Sequence, residues 1–270
     1  LPANSAAAVS GNQNGIFGFG NSGSNTAVTN LVSNAGVVGS DVTGVGTARS
    51  SLAACEYGED KGIFGFGHDG SSDVGMTNLV SNTGVVASDV SAVGSARRQL
   101  AACSFGEDKG IFAYGWLSGS GLGMTNLVSN TGVVASDVAA VGTVRFNPAG
   151  CEYGEDKGIF GLGRDPTGSA TAITNLVSNT GVMATDTTGV GTARENLAAC
   201  SYDEDKGIFG FGYDGSGKLS MTNLVSNAGV VASDTTGVGT ARSNLAATQY
   251  GGDKGIFGFG TTGSNVSTTN

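Results

Sequence analysis

Proline is nearly missing from this chain: there are 3 in 270 residues, beside 48 glycines. Glycine at that level with no Gly-X-Y period excludes a collagen-type triple helix. Charge is scarce as well. Asp, Glu, Lys and Arg make up 13% of the residues, and the formal net charge is −9. That balance argues against nucleic acid as a partner and against an anionic membrane surface. No apolar run reaches the length of a membrane helix, so membrane insertion is not expected. No segment keeps the spacing of an amphipathic helix over ten or more residues. Leu1 to Ser10 lack the basic and apolar regions of a signal peptide. The hydrophobic fraction of 39% still allows a substantial core.

What the chain has in excess is repetition. The stretch Gly62-Ile63-Phe64-Gly65-Phe66-Gly67 returns along its whole length, with its isoleucine at Ile16, Ile63, Ile111, Ile159, Ile208 and Ile256. The intervals are 47, 48, 48, 49 and 48 residues, the mark of a repeat protein. The units run approximately over 1–48, 49–96, 97–144, 145–193, 194–241 and 242–270 within one domain. Each holds four short apolar runs, β-branched or aromatic and bounded by Gly, Asn, Asp and Ser, as strands joined by tight turns are. Four antiparallel strands per unit at this period predict an all-β fold, a β-propeller. Leu52 to Cys55, Ile63 to Phe66 and Val85 to Ala87 are apolar on both faces, as strands covered on both sides should be. The Ala53-Ala54 pair and its copies suit a crowded innermost strand.

The glycine stretch occurs six times, but the fourth strand with its closing arginine occurs five times, ending at Arg49, Arg97, Arg145, Arg194 and Arg242. Six units of 48 would need 288 residues, 18 more than the chain has. The expected architecture is therefore six blades, the last without its outermost strand; a five-bladed ring with a redundant hairpin is the alternative. An incomplete blade leaves a free sheet edge, which predicts a protein partner or an assembly contact there.

The run Arg242-Ser243-Asn244-Leu245-Ala246-Ala247, followed by Asp253-Lys254-Gly255-Ile256-Phe257-Gly258-Phe259-Gly260, resembles the strand order of kelch repeats. The kelch Gly-Gly doublet is here Gly-Phe-Gly, and the outer-strand Trp is replaced by Val or Ala. The Thr-Asn-Leu-Val-Ser-Asn repeat also resembles arrays in environmental phage proteins of the virion or tail. That resemblance implies a structural or host-attachment role, at a virion or in an extracellular setting, and transfers no binding residue.

Among the repeats, the loop after the glycine stretch varies most. Its candidate ligand-binding residues are His68, Asp69, Trp116, Arg164, Asp165, Tyr213, Asp214 and Lys218, and the chain's one His and one Trp are among them. Aromatic and charged groups on rigidly held loops can bind; neutral variation at solvent-exposed tips accounts for them slightly better. The loop is expected beside the connection that leads into the next unit. The turns Glu59-Asp60-Lys61 and their copies gather acidic charge on the opposite face, where turn building and solubility account for them. Asp41, Asp89, Asp137, Asp186 and Asp234 each precede a closing arginine by eight residues. An ion pair or hydrogen bonds that fix the connection are expected there.

Cys55, Cys103, Cys151 and Cys200 are one position in four units. Equivalent positions of neighbouring units lie too far apart for a disulfide, and the spacing matches no zinc motif, so they are read as packing residues. No nucleophile accompanies His68 and no glycine stretch precedes a helix. No catalytic residue, metal or cofactor is expected. The function read from the sequence is a non-enzymatic structural or attachment module. A lectin with glycan sites repeated around the ring is the alternative.

Overall fold

The computed structural model describes residues 4–10, 13–91, 93–139 and 141–270; Leu1, in the first unit's opening, and Ala92, in one connection, lie outside them. All regular structure among the described residues is β, and no helix there is long and apolar enough to cross a membrane.

Each unit opens with an inner strand: Ala6–Ser10, Ala53–Tyr57, Ala101–Phe105, Ala149–Tyr153, Ala198–Tyr202 and Ala246–Tyr250. A tight turn follows, with Gly58 at φ 60° and Glu59 at φ 67° in the second unit. The second strands are Asn14–Gly18, Lys61–Gly65, Lys109–Ala113, Lys157–Gly161, Lys206–Tyr213 and Lys254–Gly258. They pair antiparallel with the inner strands, Cys55 opposite Ile63 and Tyr57 opposite Lys61. Third strands, such as Thr77–Val80, add to the other edge with Ile63 opposite Leu79.

The glycine stretch is therefore not strand throughout. In the second unit the strand stops at Gly65, and Phe66 takes a left-handed conformation with φ 64°. Phe19, Tyr114, Leu162, Phe211 and Phe259 do the same. A non-glycine residue there is strained by roughly 1–2 kcal/mol, so surrounding contacts must hold it. The contact that holds Phe66 is its carbonyl, which accepts from Nε of Arg49 at 2.9 Å.

The expected fourth strand is reduced almost to nothing. It is a two-residue strand, Val138–Ala139, in one unit and isolated bridges elsewhere, such as Val80↔Val86 and Thr77↔Val90. The physical reason lies between those bridges. Three steps on one side face four on the other, a bulge that breaks the ladder. The Asn78 side chain fills the gap, donating from Nδ2 to the Ala87 carbonyl at 3.0 Å and to Asp89 Oδ1 at 2.9 Å.

The inner strands of consecutive units pack on one another, and the sixth packs on the first. One hydrogen-bond chain passes through all six units. Ser51 N–H donates to the Asn4 carbonyl, Gln99 to Ser51, Asn147 to Gln99, Asn196 to Asn147, Asn244 to Asn196, and Asn4 N–H back to Asn244 at 2.9 Å. Large apolar side chains fill the spaces between sheets. Ile63, Phe64, Phe66 and Val80 are fully buried, and Phe66 meets Phe112 of the next unit edge to face at 5.1 Å. The same contact joins Phe259 to Phe17, last unit to first, at 5.1 Å.

The cysteines are unbonded and buried, each facing a glycine of the following unit. A Cβ added at Gly158 would stand 2.5 Å from Cys103 Sγ, so the pair excludes any larger residue. Burial pushes all four thiols up, Cys200 to about 12, which keeps them neutral and inert.

Candidate functional site

Three places hold the polar groups: the varied loops, the junctions between units, and a narrow passage between the inner strands.

The loops lie where the sequence places them, beside the incoming connection. His68, Trp116, Arg164 and Tyr213 bridge antiparallel to Ser50, Arg98, Phe146 and Glu195. Their side chains are spread over separate units and are largely engaged in holding their own loops. Asp69 accepts from the amides of Ser71 and Ser72, Asp165 from Thr167 and Ser169, and Asp214 from Ser216 and Gly217. These bonds, with that of the Thr167 hydroxyl foremost at Asp165, hold the carboxyls below the usual aspartate range. Arg164 pairs with Glu195 at 3.1 Å and donates to the Gly168 carbonyl. Trp116 packs against Phe146 with the rings tilted at 59° and centroids 4.5 Å apart. Tyr213 donates its hydroxyl to the Gly215 carbonyl, and Lys218 begins the third strand Lys218–Val225. His68 Nδ1 accepts from the Gly70 amide.

The junctions are built alike. Arg49 is fully buried and lies over the ring of Phe19, in the preceding unit, at 4.3 Å. It donates to the Thr47 and Phe66 carbonyls and, from Nη2, to Asn78 Oδ1 at 2.6 Å. Asp89 stands 3.8 Å away. The arginine thus meets the aspartate of its own unit, 40 residues on, not the one eight residues before it. Arg97, Arg145 and Arg194 repeat the arrangement with Asp137, Asp186 and Asp234. Burial lowers the pKa of Arg49, Arg97 and Arg194 to about 10, against the pull of each aspartate, and they stay charged near neutral pH. Burial acts to raise Asp89; bonds from Thr47 and Asn78 and the Arg49 charge outweigh it and hold the carboxyl down.

The passage has a mouth of about 80 Å³ ringed by Asn4, Ser51, Gln99, Asn147, Asn196 and Asn244. Leu and Ala side chains line its neck. The far end, about 60 Å³, has room for a few waters and is lined by Glu56, Ser104, Glu152, Ser201 and Gln249. Removal from bulk water pushes Glu56 and Glu152 up to about 8, aided by Asp60 at the first and by Glu56 itself at the second. Both carboxyls are therefore largely protonated near neutral pH, which suits them poorly to holding a cation. Among the described residues no three His, Cys, Asp or Glu side chains gather as a metal site. These glutamates were missed in the sequence. The signal was the residue after the repeated cysteine, which reads Glu56, Ser104, Glu152 and Ser201 in successive units.

No protein-family model matches this chain, and no curated protein sequence matches it. Among solved structures, that of YjhT aligns with 100% of this chain and 94% of its own, with a TM-score of 0.78 and 11% identity. A likeness at that identity concerns the fold alone.

Proposed function

We propose that the chain is a six-bladed β-propeller, kelch-like in strand order. It serves as a non-enzymatic structural or attachment module, at a virion or tail surface or in another extracellular assembly. The hydrogen-bond chain that returns to Asn4 and the packing of sixth inner strand on first support the ring. The observation that carries the functional reading is a belt of bare valines on the outer segments. Val37, Val85, Val133, Val182 and Val230 are each exposed by 64–65%. Val42, Val90 and Val138 add to it. Scattered exposed apolar residues need no explanation, but a repeated belt of them suits contact with other proteins.

A glycan-binding ring would need a like site in every unit. The equivalent loop positions hold His68, Trp116, Arg164 and Tyr213, a difference that favours protein contacts.

Replacing Val85, Val133, Val182 and Val230 together by Thr should abolish association with the assembly while leaving the isolated chain folded. Mass spectrometry of purified particles should find the chain. Its detection only in host-cell cytosol overturns the reading.

A further inference from the structure

The contacts between units are alike at the junction arginines and unlike where the varied loops meet. The arginine pairs repeat at Arg49, Arg97, Arg145 and Arg194, and the edge-to-face rings of Phe66 and Phe112 repeat in Phe259 and Phe17. By those contacts alone, one unit would pack on any other equally well. What differs is the residue after each junction arginine: Ser50, Arg98, Phe146, Glu195 and Ser243. Its backbone bridges to the first loop residue of its own unit, as Arg98 does to Trp116. In the third, fourth and fifth units its side chain reaches back to the loop of the unit before.

Each of these contacts has its own chemistry. Between the second and third units, Asp73 Oδ1 stands 3.6 Å from Arg98 Nε. That oxygen is buried and accepts no hydrogen bond among the described residues, so the charge of Arg98 is what answers it. Between the third and fourth units the pair is aromatic, Trp116 against Phe146. The loop comes close enough there that a Cβ added at Gly121 would stand 3.7 Å from the Phe146 ring. Between the fourth and fifth units the pair is ionic again, with its polarity reversed. The loop supplies the cation, Arg164, and the entering residue is the buried anion, Glu195, 3.1 Å away. Glu195 Oε2 also accepts from Asn147 Nδ2 at 3.0 Å, a second hold by the fourth unit.

The loop of the first unit is joined on both sides by a neutral contact. Asn25 donates from Nδ2 to the His68 carbonyl at 2.8 Å, and Asn265 to the Asn21 carbonyl at 3.1 Å. Every residue carries a backbone carbonyl, so these contacts accept any neighbour. The matched pairs do not. Glu195 set against Asp73 would bring two carboxylates together largely out of water, since their side chains are exposed by only 7% and 10%. Arg98 set against Arg164 would oppose two guanidinium groups. Phe146 set against either charge would strip it of water and return no partner. Like charges so placed penalise the wrong neighbour more than a neutral contact can reward it.

We infer that these loop and entry residues are a matching set that fixes which unit packs beside which. The surface is the loop side of each seam, and the partner it recognises is one particular unit of this same repeat. Nearly identical repeats otherwise close out of order, a unit packing on the wrong neighbour of its own chain or of a second copy, which is a characteristic failure of repeat arrays. The variation among the loops is thus a set of addresses written in charge and aromatic character. The constancy of the rest of the unit is what makes addresses necessary. The inference rests on the packing of consecutive units, and not on the valine belt or on where the assembly resides.

The test exchanges two addresses without changing the composition. In the full chain, Arg98→Glu together with Glu195→Arg sets Asp73 against a carboxylate and Arg164 against a guanidinium, at unchanged net charge. Refolded by dilution from urea at high protein concentration, this chain should give at least about tenfold more oligomer than the native one, read by size exclusion with light scattering. Cross-linking and mass spectrometry should place the fourth-unit loop of one copy beside the third-unit entry of another. Adding Asp73→Arg and Arg164→Asp matches both pairs again and should restore the monomer. Side chains that only hold their own loops would lower the urea midpoint without this change of partners. An exchanged chain that refolds as monomer in native yield overturns the inference, as does equal oligomer from the exchanged and rematched chains. If the exchanged chain does not fold, a chain with Arg98→Ser, Phe146→Ser and Glu195→Ser, the residue found at Ser50 and Ser243, is read instead. It should also form oligomers, and its clean return to monomer overturns the inference. The valine-belt reading is measured on particles, so the two can fail separately.

Discussion

At the residue scale, the junction arginines carry the most consequence. Arg49, Arg97 and Arg194 each satisfy the carbonyl of a strained residue, an asparagine and an aspartate at once, and a lysine cannot reach all three. Arg97→Lys leaves Tyr114 O, Ser95 O and Asn126 competing for one ammonium. The expected loss is about 3 kcal/mol in urea unfolding, toward the lower end for a broken buried pair because Asp137 is partly exposed. The passage glutamates act in the other direction. Their pKa values rise from 4.5 in the unfolded chain to about 8 in the fold, so the folded state holds more protons across that window. Stability therefore falls as pH rises from about 4.5 to about 8. Glu56→Gln and Glu152→Gln should flatten that fall and raise stability at pH 8 by roughly 1 kcal/mol each, discounted for the solvent in the passage. Denaturant melts at pH 5, 7 and 9 check it.

At the scale of elements, the inner, second and third strands were legible because their apolar runs are short and bounded by turn residues. The outer segment was not. Val85-Val86-Ala87 has the composition of a strand, but the bulge that breaks its pairing is made by the Asn78 side chain, a partner nine residues distant from Ala87. The glycine stretch was legible as packing. Its strand end at Gly65 was not, because the left-handed turn of Phe66 is held by an arginine 17 residues earlier. Close approach between elements gives a sharp prediction. Gly158→Ala places a methyl 2.5 Å from Cys103 Sγ and should cost about 1–3 kcal/mol. Cys103→Ala in the same chain should recover much of that loss, because it removes the atom in the way; a double-mutant cycle reads the coupling.

At the scale of the whole molecule, the period alone carried the sixfold repetition of the inner and second strands. The eight-residue spacing of Asp and Arg was visible too, yet it misled about pairing. Arg49 reaches Asp89 because the connection delivers the arginine into the next unit, which spacing along the chain cannot express. The passage glutamates needed three dimensions, since they are defined by what stands across from them.

Each junction arginine fastens two units at once: Arg49 holds the Phe66 carbonyl and Asn78 of its own unit and lies on the Phe19 ring of the unit before it. Loss of one unit therefore strips a buried guanidinium of part of its packing in the next, and the damage spreads along the row. The chain should melt in a single calorimetric transition, with van't Hoff and calorimetric enthalpies equal; separate transitions for separate units would show that the rivets do not couple them.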